Sequence, residues 1–148
     1  MALQVSEDQR AGAEVYHGSE MCKQKSRELL GAVELPKGLL PMDDLEECGY
    51  VKETGFVWLK QKKRIEHRFK KIGKLVAYAP EITAYVEERK MKKLTGVKSK
   101  EILLWVTITE ISIDDPASGK IYFKSSTGIG KTLPANAFEL EEEVEEEK

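Results

Sequence analysis

The stretch that most limits what this chain can fold into is residues 94–123. It is apolar from Ile102-Leu103-Leu104-Trp105-Val106 to Ile108, breaks at Asp114-Asp115-Pro116-Ala117-Ser118-Gly119, and resumes as Lys120-Ile121-Tyr122-Phe123. In a strand, Ile102, Leu104, Val106 and Ile108 share one face, and Leu103 and Trp105 occupy the other. A segment apolar on both faces has to be covered on both. Residues 102–108 are therefore expected to form a strand buried on both sides. Beyond Thr107 one face turns polar at Glu110 and Ser112 while Ile111 and Ile113 continue the other, as in a sheet with one wet face.

Period-two patterning extends over most of the chain after Gly49. Residues 50–53 and 56–61 flank Thr54-Gly55, a hairpin signal. Ile65, His67 and Phe69 alternate with Glu66, Arg68 and Lys70. Residues 74–79 and 81–90 read as two strands separated by Pro80, which a strand end tolerates. The return strand covers 120–124, and 136–140 reads as a last short one.

The first third has helical patterning instead. Ser6-Glu7-Asp8-Gln9 is a capping box, and its helix is expected to run to about His17-Gly18. Ser19 then caps a second helix over 20–33, with Cys22, Leu29, Leu30 and Val33 on one face. Pro36, Gly38 and Pro41 interrupt regular structure, and 43–47 reads as an acidic helical turn. The expected architecture is mainly β: an antiparallel barrel or sandwich of about eight to nine short strands with one or two N-terminal helices. Residues 1–34 form a helical segment packed on a β-domain of 35–140. Residues 141–148, almost all Glu, are expected to form an acidic disordered tail.

Five phrases occur in order: Leu35-Pro36-Lys37-Gly38-Leu39-Leu40-Pro41; Thr54-Gly55-Phe56-Val57-Trp58-Leu59; Ile72-Gly73-Lys74-Leu75-Val76-Ala77-Tyr78; Leu94-Thr95-Gly96-Val97-Lys98; and Ile102-Leu103-Leu104-Trp105-Val106. With them the chain resembles the plant domain of unknown function 538, over about 29–139, and looks closest to its intracellular branch. The resemblance implies a compact antiparallel β-fold. For function it implies lipid or amphiphile binding, by analogy with bactericidal/permeability-increasing proteins, or hydrolysis of chlorophyll-like esters. It also implies a setting in stress responses or the growth of epidermal hairs (trichomes).

Local chemistry is sparse. Gly128-Ile129-Gly130-Lys131-Thr132 ends like a phosphate-binding loop, but Ser125 stands where the first glycine belongs and Pro134 prevents the required helix. A turn between two strands is the better account. Gly-x-Ser-x-Gly is absent, and His17 and His67 are the two histidines available as bases. His67 alternates with Ile65 and Phe69 and is expected to point inward; His17 fits a helix end. Cys22 and Cys48 form no CxxC and read as free buried thiols, and no His/Cys pair has zinc spacing. Neither a metal nor a cofactor is expected.

The net charge of −2 hides a basic body, since the last ten residues hold seven Glu and one Lys. Residues 60–74 carry eight Lys or Arg against Glu66 alone. Such a run either coats a solvated face and discourages edge pairing, or attracts anionic headgroups. Lys60, Lys62, Lys63, Arg64, Arg68, Lys70 and Lys71 are the candidate anionic-surface patch. Nucleic acid is a poorer partner, because no aromatics interleave the charges as stacking platforms. Trp58, Tyr78, Tyr85 and Trp105 are the amphipathic aromatics. At strand positions they serve as core or cross-strand pairs, and they are also the candidate lining of an apolar ligand site.

The N-terminus lacks the basic start and apolar run of a signal peptide. No apolar run approaches the ~20 residues of a membrane-spanning helix. A cytoplasmic protein able to sit at membrane surfaces is expected. The leading function is non-enzymatic binding of an amphiphilic, lipid-like ligand or an anionic membrane surface. A regulatory protein-interaction module is second, and a hydrolase acting on a lipid- or chlorophyll-like ester is third.

Overall fold

The computed structural model describes residues 6–140; the acidic tail over 141–148 lies outside the described residues. Two helices, α1 (Glu7–Arg10) and α2 (Ser19–Ala32), bracket a short strand, β1 (Glu14–His17). Then follow β2 (Leu45–Val51), β3 (Phe56–Gln61), β4 (Ile65–Phe69), β5 (Lys74–Glu87), β6 (Lys90–Glu101), β7 (Leu104–Ser112), β8 (Lys120–Ser125) and β9 (Gly130–Pro134). All nine strands join one antiparallel sheet in the order β1-β2-β3-β5-β6-β7-β8-β9, with β4 paired to β5. The mainly β, antiparallel expectation holds. The sheet is open, with β1 and β9 at the ends of the path.

One face of the sheet carries the main core. Val57, Leu59, Val76, Tyr78, Ile82, Val97, Ile108 and Ile121 pack there against Cys22 and Leu30 of α2, Leu35 and Leu39 of the following loop, and Phe138. Helix α2 presents Cys22, Ser26 and Leu30 at intervals of four, so a single stripe is buried. The opposite face holds a smaller cluster, Val51, Phe56 and Trp58, under Ala13 and Val15 of the N-terminal segment. Trp58 is fully buried there. Its ring lies so close to Gly49 that a Cβ at that position would overlap it.

Strands β3 and β4 are two parts of one line. Both run antiparallel to β5, β3 along its residues 81–85 and β4 along 74–78. The break between them falls opposite Pro80, which has no N–H to give. Gln61 closes the gap, its buried amide donating to the carbonyls of Tyr78 and Ala79, each at 3.0 Å. A Gln61→Leu substitution should therefore leave two carbonyls unsatisfied and cost about 1–3 kcal/mol, read from the urea midpoint.

Several local expectations are corrected. The capping box at Ser6 and Gln9 is present, but α1 is a single turn. Gly12 at φ +80° ends it, and residues 14–17 pair with β2 rather than extending a helix. Helix α2 begins at Ser19 with Gly18 as its N-cap and no side-chain cap, so Ser19 does not fill that role. The 43–47 turn is not helical, because Leu45 already pairs with Gln61 as the start of β2. Pro80 does not divide two strands; β5 continues through it. Residues 130–134 form a strand, while 135–138 form a 3-10 turn and not the expected last strand.

The largest correction concerns residues 102–108. Glu101 pairs with Leu104, which makes Ile102-Leu103 the two-residue turn of the β6–β7 hairpin. Ile102 is 95% exposed, Leu103 88% and Leu104 58%. The apolar run is a hairpin tip joined to half a strand, and only its Ile108 end enters the core. Period-two counting cannot see a turn that lacks glycine, asparagine or proline.

Candidate functional site

A cavity of about 350 Å³ opens between the core face of β4–β9 and the residues that cover it. Its walls are apolar: Phe69, Val76, Val97, Val106, Ile108 and Phe123 from the strands, and Leu39, Leu40 and Phe138 from the covering segments. Tyr78 forms part of the wall and donates its hydroxyl to the Leu39 carbonyl at 2.8 Å, pinning the 35–42 loop. Gly38 docks the same loop by donating its N–H to the Phe138 carbonyl at 2.9 Å. A Cβ at Gly38 would meet that backbone.

The polar lining gathers at one side. Lys74 of β5, Glu101 of β6 and Lys131 of β9 all border the cavity. Glu101 bonds to Lys74 through Oε2 and to Lys131 through Oε1 at 3.0 Å, and Ser99 donates to it at 3.2 Å. Burial pushes the Glu101 carboxyl up, but the hydrogen bonds from Lys74 and Lys131 outweigh this and hold it at about 2. The carboxylate therefore stays ionised, and two ammonium groups outnumber it. On the wall nearby the Ser125 and Thr127 hydroxyls bond each other at 2.6 Å.

The four candidate aromatics do not converge. Only Tyr78 lies on the cavity. Trp58 sits on the opposite face, donating its indole N–H to Glu47 at 2.8 Å beneath the Arg10 guanidinium. Tyr85 packs on Phe56 on that face, with ring centroids 5.1 Å apart. Trp105 lies at the foot of the exposed hairpin, with Arg64 and Lys100 over its ring at 5.0 and 5.2 Å. Such cation–π contacts suit an amphipathic ring held at a surface.

The basic run is likewise divided by the sheet. Lys60 pairs with Glu47 at 3.7 Å, and Arg64 pairs with Glu66. Lys62 and Lys63 are exposed in the break between β3 and β4. Arg68 donates to the Gly73 carbonyl at 3.0 Å. Lys70 and Lys71 stand exposed on the β4–β5 turn. Lys74, the last of the run, faces the cavity. Sequence reasoning missed Glu101 and Lys131 as partners for it; Lys131 was visible only as the lysine of a false phosphate-binding loop.

Groups for covalent chemistry are poorly placed. His17 Nε2 lies 3.2 Å from Glu47, away from the cavity. His67 sets its ring edge-on to Phe69, at 4.7 Å. Burial pushes the Cys48 thiol up to about 12, with Cys22 beside it adding to the shift, so little reactive thiolate forms. Both cysteines are free and buried. Among the described residues no three His, Cys, Asp or Glu side chains are grouped to hold a metal ion. No helix there is long and apolar enough to cross a membrane.

An open antiparallel sheet with a helix and a long loop on one face defines a mainly β domain class. Within it, residues 26–139 match the family described as "Protein of unknown function, DUF538", and the chain belongs to that family. No curated protein and no solved structure matches the chain.

Proposed function

We propose that this domain binds a single-chain amphiphile with an anionic head, holding the chain in the cavity and the head at Lys74 and Lys131. The observation that supports this is the combination of an apolar cavity of about 350 Å³ with two ammonium groups on its border. Ligand sites have this character: apolar walls for affinity and a few convergent polar groups for orientation. Each methylene moved from water to such walls contributes about 0.8 kcal/mol. A head bearing a carboxylate or phosphate completes the hydrogen bonding of the lysines. The domain would act without catalysis, in the cytoplasm, in the growth or stress setting that the family resemblance implies. A regulatory protein-interaction module and a hydrolase of lipid- or chlorophyll-like esters rank behind this reading.

Titration with oleate followed by calorimetry tests the proposal. Micromolar or tighter binding is expected for the intact chain. Val106→Trp, which places an indole in the cavity from a half-buried wall position, should weaken it at least tenfold with the thermal midpoint little changed. If oleate binds neither chain, or both equally, the cavity is not the site.

A further inference from the structure

The two ends of the sheet differ in a way that folding does not require. At one end the turns are polar: residues 52–55, Glu88-Arg89, and 114–119. At the other end lie the β4–β5, β6–β7 and β8–β9 turns. The Lys74–Glu101–Lys131 ion pairs draw these three together, and so does the N–H of Ser126, which donates to the Thr107 carbonyl at 3.0 Å. This end projects Ile102, Leu103 and Leu104, and beside them Ile129, which is 74% exposed.

Turn chemistry does not explain the apolar tip. Two-residue hairpin turns favour Asn, Asp or Gly at positive φ, whereas Ile102 and Leu103 have no positive φ. Polar residues would fit this backbone and remove the exposed apolar area. Exposed apolar clusters with polar surroundings mark interaction sites.

The surroundings identify the partner. Lys70, Lys71 and Lys100 are exposed around the tip, and Trp105 sits at its foot beneath Lys100 and Arg64. The nearby carboxylates, Glu66 and Glu101, are each held in ion pairs. An apolar tip within a basic collar, with an amphipathic indole between them, matches the layers of an anionic bilayer: hydrocarbon, interface and charged headgroup.

We infer that this end of the sheet docks on anionic phospholipid bilayers, with Ile102, Leu103 and Leu104 entering the acyl region. Lys70, Lys71 and Lys100 contact the headgroups, and Trp105 lies at the interface. Docking turns the cavity border toward the lipid. The inference stands on the exposed tip and its charges, so it holds whether or not the cavity takes an amphiphile.

Sedimentation with phosphatidylcholine vesicles, with and without phosphatidylserine, tests it at low and high salt. The intact chain should partition onto the anionic vesicles at low salt and be released by salt. Leu103→Asp, at a site with no packing to lose, should lower partitioning at least tenfold while leaving oleate affinity and the thermal midpoint unchanged. Joint reversal of Lys70, Lys71 and Lys100 to Glu should lower it further, since each basic residue near such a surface is worth roughly fivefold. In a Trp58→Phe background, Trp105 emission should shift to the blue on vesicle addition and be quenched by brominated acyl chains.

Three results would overturn the inference: no partitioning of the intact chain at low salt, equal partitioning of Leu103→Asp, or a concentration-dependent dimer that Leu103→Asp abolishes. The last would assign the tip to a second copy of the chain.

Discussion

Trp58→Ala should lose about 3–5 kcal/mol of stability, the range for deleting a large aromatic from a packed site. That is a large share of the 5–15 kcal/mol that holds a typical domain. The ring fills the second core between Phe56, Val51 and the N-terminal segment, and Gly49 has no side chain to move into the void. Glu47 also loses a hydrogen bond. Its burial pushes the carboxyl up, but the Trp58 N–H, Lys60 and Arg10 together hold it below the ordinary range. A lowered carboxyl contributes stability above its unfolded-state value and loses it as pH falls. Removing Trp58 should therefore also flatten the acid side of the stability profile. Urea unfolding from pH 3 to 7 reads both effects, and Trp58→Phe separates them, keeping most of the ring volume without the N–H. A loss below about 1 kcal/mol in the alanine variant would show that the N-terminal cluster is dispensable.

The sheet was legible where its period was clean. Residues 65–69 alternate visibly because one face meets the core and the other meets solvent, whereas 56–61, apolar on both faces, were legible from the hairpin signal at Thr54-Gly55. Helix α2 followed from Cys22 and Leu30 on one stripe. The failures have a common physical cause. β1 has four residues and persists because Val15 and Tyr16 find partners on β2, which no local pattern reports. β5 passes through Pro80 because Gln61 of the neighbouring strand donates to the Tyr78 and Ala79 carbonyls beside the proline, where the ladder between β3 and β4 is broken. The tip at Ile102-Leu103 was read as core because apolar residues are usually buried, while its turn is set by pairing of residues on either side.

The same limit governs the site. Tyr78 was found as a large aromatic in a strand of alternating pattern. Lys74, Glu101 and Lys131 carry no motif, since their grouping depends on the registers of several strand pairs. The basic run was a sound observation with too coarse a reading. The sheet sends Lys60 to Glu47, Lys70 and Lys71 to the tip end and Lys74 to the cavity. One charge-dense stretch of sequence thus has three separate environments. Only the part at the tip end and cavity border coincides with unpartnered apolar surface, which is why the two proposals meet there.

Neutralising both lysines, in Lys74→Met with Lys131→Met, should weaken oleate binding by more than about 100-fold, since charge-assisted hydrogen bonds contribute about 1.5–3 kcal/mol each. Glu101→Gln should act in the opposite direction. The carboxylate of Glu101 engages both ammonium groups in the free protein, so it competes with the ligand head for the same donors. Removing its charge frees them and should raise affinity several-fold. The stability consequence has the reverse sign. With its carboxyl held at about 2, Glu101 stabilises the fold above the ordinary carboxylate range and loses this contribution as pH falls toward 2. Glu101→Gln should abolish that part of the acid dependence, trading stability at neutral pH for ligand affinity. Oleyl alcohol, with the same chain and no charge, is the control: it should bind the intact chain, the double methionine variant and Glu101→Gln with similar affinity. If oleate and the alcohol lose affinity together in the double variant, the lysines shape the cavity and do not select the head. If oleate alone loses affinity, the cation pair is the selector, and Glu101 is its internal competitor.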